Sequence, residues 1–325
     1  MKKVVVIGGG TGSFVVLSGL KKYPLEISAI ITMTDSGGST GKLRDQYGVL
    51  PPGDVRQALI ALSESEETWR ELFLYRFTSG DFEGHNFGNI FLSVLERVTG
   101  SFESSIKKAE EILKTKGKVI PVTLSNANIN AELATGEIIK TEALIDKMEK
   151  RPRIKRLFLE KEVKANRRAV EAINNADYII VAPGDVFTSI IPNFLFPQIT
   201  AAYKKNKGKK ILIMNLMNKL GQTDNFKTSD YLKAYQSILG ANPFDYLLLN
   251  TSRLPSKVTS KYSEFGEKEV ENDLRQNLRL KLEPGDFVNS KLFAPEKGDK
   301  LFNRSLVRHD EAKLARHIWN NIINK

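Results

Sequence analysis

Two glycine-rich segments near the amino end of this 325-residue sequence carry its clearest chemistry. Gly8-Gly9-Gly10-Thr11-Gly12 follows the β-branched run Val4 to Ile7, and Asp35-Ser36-Gly37-Gly38-Ser39-Thr40-Gly41 follows the run Ile27 to Met33. Small residues after a strand let backbone N–H groups approach phosphate oxygens, and the N-terminus of a following helix adds positive potential. The first loop is not a dinucleotide fingerprint, because Ser13 stands where a third glycine or alanine belongs. That counts against a nicotinamide oxidoreductase. Asp35 lies roughly twenty residues beyond the first loop, where an acid can meet a ribose hydroxyl or hold a divalent cation between phosphate oxygens. An Asx-turn into the glycines is its purely structural alternative.

Other candidates stand in order along the chain. Arg44 suits a phosphate clamp better than Lys42, because its fork binds two oxygens. In Pro51-Pro52-Gly53-Asp54-Val55-Arg56, Asp54 occupies an N-cap position with Gln57 three residues on, a capping-box pattern. His85, one of three histidines, is a candidate proton carrier, and Asn86 and Asn89 can present amides to a polar ligand, Asn89 equally as a helix cap. Gly184 and Asp185, then Thr188, Ser189 and Asn193, then Asn215 and Thr223 compose a second ligand wall. Arg308-His309 precede the last helix.

These residues need a scaffold, and the hydrophobic pattern supplies one. Short β-branched runs alternate with glycine-bearing loops and helical spacing, which predicts a parallel sheet covered on both faces. Helices are predicted after Gly53, over Phe87 to Val98, Phe102 to Leu113 and Val170 to Ala176, from Ser229 as cap to Leu239, and from Asp310 as cap to Ile323. Strands are predicted at Tyr178 to Ala182, Ile211 to Met214 and Tyr246 to Leu249. Between the halves, Val119 to Leu124, Ile129 to Leu133, Ile138 to Leu144 and Ile154 to Leu159 read as short strands of a β-rich insertion. One domain over 1–325, with that insertion at about 118–162, is the expected organisation.

Composition narrows the partners. A formal charge of +11 favours anionic ligands, but the basic residues are dispersed among acids, so a nucleic-acid partner is not expected. No apolar run is long enough to span a bilayer, and Val4 to Ile7 is too short for a signal peptide. With no cysteine, the chain has no disulfide, thiol nucleophile or cysteine-ligated metal, and a cytoplasmic location is expected.

Taken with their order, the motifs resemble the CofD-like family. They are Val5 to Gly12, Thr34 to Arg44, Pro51 to Arg56, Gly84-His85-Asn86 with Gly88-Asn89, and Pro183-Gly184 with Thr188 to Asn193. The similarity is strongest to the gluconeogenesis-factor, or YvcK-like, branch. It implies a Rossmann-like three-layer α/β/α sandwich with a mostly parallel sheet. It implies a nucleotide-diphosphate ligand such as UDP-GlcNAc and a regulatory part in carbon metabolism, cell shape and cell-wall synthesis. The related 2-phospho-L-lactate transferases make magnesium-dependent transfer from a nucleotide-diphosphate donor the alternative, with Asp35 and His85 as catalytic residues and Asp35 on the metal. Carried over by position, the resemblance implicates Gly10, Thr11, Gly12, Asp35, Asp54, His85, Asn86, Thr188, Asn193, Asn215 and Thr223, and the loops add Gly9, Gly37, Gly38, Ser39, Arg44, Gly184 and Ser189 as expected ligand contacts. No tightly bound organic cofactor is expected, and a homo-oligomer is compatible with the resemblance. Three positions depart from the branch: Ser36 replaces an aspartate or asparagine, Thr40 a serine, and Asp185 a serine. Asp185 adds a negative charge beside the expected phosphate wall.

Overall fold

A computed structural model describes residues 1–147, 150–275, 279–289 and 306–325. The first half runs β1 (Lys2–Gly8), α1 (Gly10–Leu20), β2 (Leu25–Ile31), α2 (Gly38–Tyr47), α3 (Gly53–Leu62), α4 (Glu67–Leu74), α5 (Phe87–Thr99), α6 (Phe102–Leu113) and β3 (Lys118–Pro121). A small unit follows: β4 (Ile129–Leu133), β5 (Ile138–Lys140), α7 (Glu142–Asp146) and β6 (Ile154–Leu159). The second half continues with α8 (Arg167–Asn174), β7 (Tyr178–Val181), a π turn and 3-10 turn over Val186–Leu195, α9 (Pro197–Lys205) and β8 (Lys209–Ile213). It ends with α10 (Thr228–Leu239), β9 (Tyr246–Asn250), α11 (Ser256–Glu264), β10 (Lys281–Gly285) and α12 (Glu311–Ile318).

Seven strands form one sheet in the order β10-β9-β8-β7-β1-β2-β3. Every neighbouring pair in it is parallel. Parallel strands need covered faces, and the central ones are apolar throughout: Val4, Val6, Ile7, Ile30, Ile31, Ile179 and Val181 are all fully buried. Helix α1 packs on α3 and α12, while α9 packs on α8 and α10, which gives the three-layer Rossmann-like α/β/α sandwich. Chain order reverses between β1 and β7, and the crevice beyond the carboxyl ends of such a pair is where open α/β sheets bind ligands.

Three local expectations are corrected. The stretch from Val119 belongs to the edge strand β3 of the main sheet, so the antiparallel unit is only β5-β4-β6. The strand expected over Ile138 to Leu144 stops at Lys140, and residues from Glu142 turn into α7. Neither Asp54 nor Ser229 caps a helix: α3 starts at Gly53 and α10 at Thr228, so both residues already lie inside the first turn. Asp310 does cap α12, accepting from the Ala312 and Lys313 N–H groups at 3.0 and 2.9 Å. A π turn then extends the chain through Ile323.

Candidate functional site: a cleft at the strand switch point

Helices α1 and α2 both begin without a side-chain cap, directly after their glycines. Their first-turn N–H groups therefore point along the helix axes with no side-chain acceptor at the cap position. Gly12 is required by the packing of α1 against the loop after β7: a Cβ there would stand 1.7 Å from the Pro183 carbonyl oxygen. Gly10 sits at φ +61°, where a side chain is strained. The glycines thus bring the α1 N-terminus against the Pro183-Gly184 turn, across the switch point.

A cleft of about 1120 Å³ opens there. Its near wall holds Gly9, Gly10, Thr11 and Gly12 from the first loop and Asp35, Gly37, Gly38 and Ser39 from the second. Asp54, His85 and Asn86 stand beside them, and Gly184, Thr188, Ser189 and Asn215 line the opposite side. Three expected contacts lie outside the cleft. Arg44 is buried and turned away, donating to the Asp35 carbonyl and to Asn128, so Lys42 is the basic side chain of that loop in the wall. Asn193 is fully buried and donates to the Ser189 and Ile190 carbonyls at 3.0 and 3.1 Å, which holds the Thr188 turn in shape. Thr223 accepts from the Lys219 N–H at 2.8 Å and bonds the Tyr231 hydroxyl at 3.2 Å, and so braces the loop after β8.

The near wall is acidic as well as glycine-rich. Asp54 accepts from the Gly10 N–H, and Asp35 accepts from the Gly37 N–H at 2.8 Å. Thr40 also bonds Asp35. Burial raises the Asp35 carboxyl above its usual range, and it lifts Asp54 to about 7, with the charge of Asp35 as the second cause. Glu142 is pushed up to about 9 by burial, then by Asp35 and Asp146. A cation among these oxygens would relieve all three. His85 is held below its ordinary value by burial and by the charges of Lys42 and Arg76, so it is neutral at pH 7, with Nδ1 3.1 Å from the Ser39 hydroxyl.

Sequence reasoning missed the part played by α7. Glu142 and Asp146 both line the cleft, although they belong to the antiparallel unit. Ser36 fixes their position: its hydroxyl accepts the Ala143 N–H at 3.0 Å while its own N–H donates to Glu142 at 3.2 Å. On the other side Lys219 donates to both Asp146 and Asp185. The negative charge of Asp185 is therefore met by an ammonium rather than left against a phosphate wall. No periodicity marks Lys219 in the sequence. Its only signal is a cation set shortly after the strand-end Asn215, which itself accepts the Gly184 N–H at 3.3 Å and donates back to the Gly184 carbonyl at 2.7 Å.

An oxygen-only set of carboxylates suits a hard divalent cation such as magnesium. Among the described residues no three acidic or imidazole groups converge closely enough to enclose an ion. A cation held by Asp35 or Asp54 would complete its shell with ligand phosphate oxygens and water, which is the usual habit of magnesium.

Comparison with known proteins follows the same lines. The family model described as 2-phospho-L-lactate transferase CofD matches residues 4–287. A gluconeogenesis factor of Halalkalibacterium halodurans is 40% identical, over 98% of this chain and 95% of its own. The gluconeogenesis factor of Bacillus subtilis is 34% identical over 96% of both chains. A crystal structure of a UPF0052-family protein from Bacillus halodurans matches with a TM-score of 0.90 at 35% identity, covering 98% of this chain and 99% of that one.

Proposed function

This chain belongs to the CofD family, in its gluconeogenesis-factor group, and from that premise we propose that it binds a nucleoside-diphosphate sugar of the UDP-sugar class. In this reading it acts as a cytoplasmic, ligand-sensing regulator of carbon metabolism, cell shape and cell-wall synthesis. One observation carries the proposal: the N-termini of two helices that follow adjacent strands, each with a glycine at its cap position, meet a single cleft at the switch point. The α1 and α2 amides would hold the diphosphate, and Asp35 or Asp54 would hold a magnesium ion, which would supply neutralisation of its charge. The cleft has room for the rest of such a ligand. It runs from the β2 end to Asn215 after β8, three inter-strand spacings or about 14 Å. Among the described residues no helix is long and apolar enough to cross a membrane.

Transfer of a phosphorylated group from a nucleotide-diphosphate donor, as in a 2-phospho-L-lactate transferase, is favoured by a different observation. Asp54 lines the cleft, and burial and the charge of Asp35 raise its carboxyl to about 7, so that it can take the proton of an attacking hydroxyl. In that reading magnesium supplies charge neutralisation at the departing diphosphate, and the loop amides hold its oxygens.

A thermal-shift panel with magnesium tests the binding. UDP-GlcNAc is expected to raise the melting temperature by several degrees, because a ligand specific to the folded state stabilises it. Stabilisation by NAD or NADP alone would overturn the reading. Phosphorus NMR of the saturated complex separates the two roles: an unchanged nucleotide supports a sensor, and its consumption with a hydroxyl acceptor supports a transferase.

A further inference from the structure

The end of the cleft beyond β8 is unlike the end at the glycine loops. Leu216, Met217, Tyr262 and Val307 line it. Leu216, Tyr262 and Val307 belong to a small apolar cluster separate from the main core, and Met217 packs against that cluster. The polar neighbours there are already bonded. Asn218 donates to the Phe226 carbonyl at 3.0 Å and accepts from the Tyr231 hydroxyl at 3.0 Å. Lys219 holds Asp146 and Asp185, and Glu267 accepts the Leu220 N–H at 3.2 Å. Arg308 is engaged as well.

His309, in the same wall, differs from them. It is buried, and an antiparallel bridge to Val288 fixes its backbone in the segment leading into α12. One ring nitrogen donates to the Met214 carbonyl just past β8, and the other has no partner. Burial pushes the imidazole down to about 4, so it is neutral at pH 7. A neutral ring whose one proton is given to Met214 can only accept a hydrogen bond at its second nitrogen. A buried polar atom without a partner needs a reason, and in a cleft wall a ligand group that supplies the missing bond is one.

We propose that this end of the cleft is the nucleobase subsite, and that His309 accepts a hydrogen bond from the imino N–H of a uracil ring. This subsite rests on the UDP-sugar reading and divides the cleft between the two ends of such a ligand. The diphosphate oxygens are acceptors and cannot satisfy His309. The ends of β1 and β8 lie two inter-strand spacings apart, about 10 Å, which leaves room for a ribose between diphosphate and base. A sugar ring here would press several hydroxyls against Leu216, Met217 and Val307 without partners. A flat base buries its faces there and offers N3–H at its edge. The hydroxyl-rich sugar belongs at the opposite end, where Thr78, Glu83 and His85 line the wall. Cytosine presents N3 as a bare acceptor and sets two acceptors face to face, so His309 selects uracil over cytosine.

Equilibrium titration of the full chain with UDP, CDP and N3-methyl-UDP, each with magnesium, tests the subsite. Wild type is expected to bind UDP at least about tenfold more tightly than either of the others, because a site built to bond an N–H rejects the analogue that lacks it. In His309→Phe that preference should fall to within about threefold, with the melting curve of the variant still cooperative. The comparison of UDP with N3-methyl-UDP on wild type does not depend on the variant. Wild type that binds UDP without preference, or His309→Phe that keeps the full preference, overturns the subsite alone. Wild type that binds none of the three overturns the UDP-sugar reading together with it.

Discussion

The two walls of the cleft are built on opposite plans. The near wall is contiguous chain, in which a strand, a glycine loop and a helix each follow the last, twice over. It faces the cleft with backbone amides, and its acids are tied to those amides, as Asp35 is to Gly37 two residues on. The far wall and the cover over it are assembled from remote segments. Lys219 joins Asp146 and Asp185, which are 73 and 34 residues away from it. The near wall thus depends on the absence of side chains, and the far wall on the charges of particular ones. Substitutions should act on the two walls through different terms: sterics on one, uncompensated charge on the other.

Gly12→Val should have the largest effect. The added Cβ meets a backbone carbonyl that cannot swing aside, so α1 must move off the Pro183 turn. Overpacking costs about 1–3 kcal/mol and occasionally more, and a Cβ pressed onto a backbone oxygen belongs at the upper end. Urea unfolding should show that loss, and UDP-GlcNAc should no longer shift the melting temperature. Gly38→Ala sharpens the contrast, since nothing lies within 4 Å of its Cβ and only the φ of +49° opposes it. A penalty of about 1–2 kcal/mol is expected there. If Gly38→Ala proved the worse of the two, close approach would not be what the near wall needs.

Lys219→Met comes next and tests the far wall. It leaves Asp146 and Asp185 facing each other without their cation. Removing one partner of a buried ion pair costs about 3–5 kcal/mol, and the partial exposure of Asp185 reduces this to about 2–3 kcal/mol. The double variant with Asp146→Asn should recover part of the loss. Limited proteolysis should cut near α7 faster in the single variant. A single variant as stable as wild type would mean that α7 is held by Ser36 and by the burial of Ile145, and not by the Lys219 pairs.

The same contrast decides how much is legible in the sequence. The near wall is legible because glycines placed directly after a β-branched run mark a strand that ends where its backbone must be approached closely. Helix α6 is legible because its apolar residues keep helical spacing across Phe102–Leu113. Asp54 misleads for a physical reason. A local capping rule places it at the helix start, but α3 begins at Gly53, and the free carboxylate turns to Gly10 instead. Strand β10 carries no expectation in the sequence, because proline and glycine such as Pro284 and Gly285 are uncommon inside strands; at a sheet edge a proline forfeits no ladder bond. The short helix α7 is hidden inside an apolar run that reads as strand. Glu142, Asp146 and Lys219 cannot be found locally, since each acts only through a partner brought near by the tertiary fold.

Asp54→Asn should have the smallest effect, and of opposite sign. In the folded chain the Asp54 carboxyl is raised from 3.8 to about 7 and Glu142 from 4.5 to about 9. Each therefore keeps its proton over a range in which the unfolded chain has lost it. Stability falls as pH climbs through that range, up to about 7 for Asp54 and about 9 for Glu142. Replacing Asp54 by the neutral amide removes the first part of this decline while leaving an oxygen for the Gly10 N–H. At pH 8 the variant should be more stable by about 1–2 kcal/mol, a fraction of the full shift because water in the cleft screens the charge. At pH 4 it should match wild type. Millimolar magnesium should reproduce the gain in wild type at pH 8 and add less to the variant, since the cation and the amide relieve the same repulsion. A variant destabilised equally at both pH values would show that the bond to Gly10 outweighs the charge, and that the acids of the near wall are structural rather than waiting for a cation.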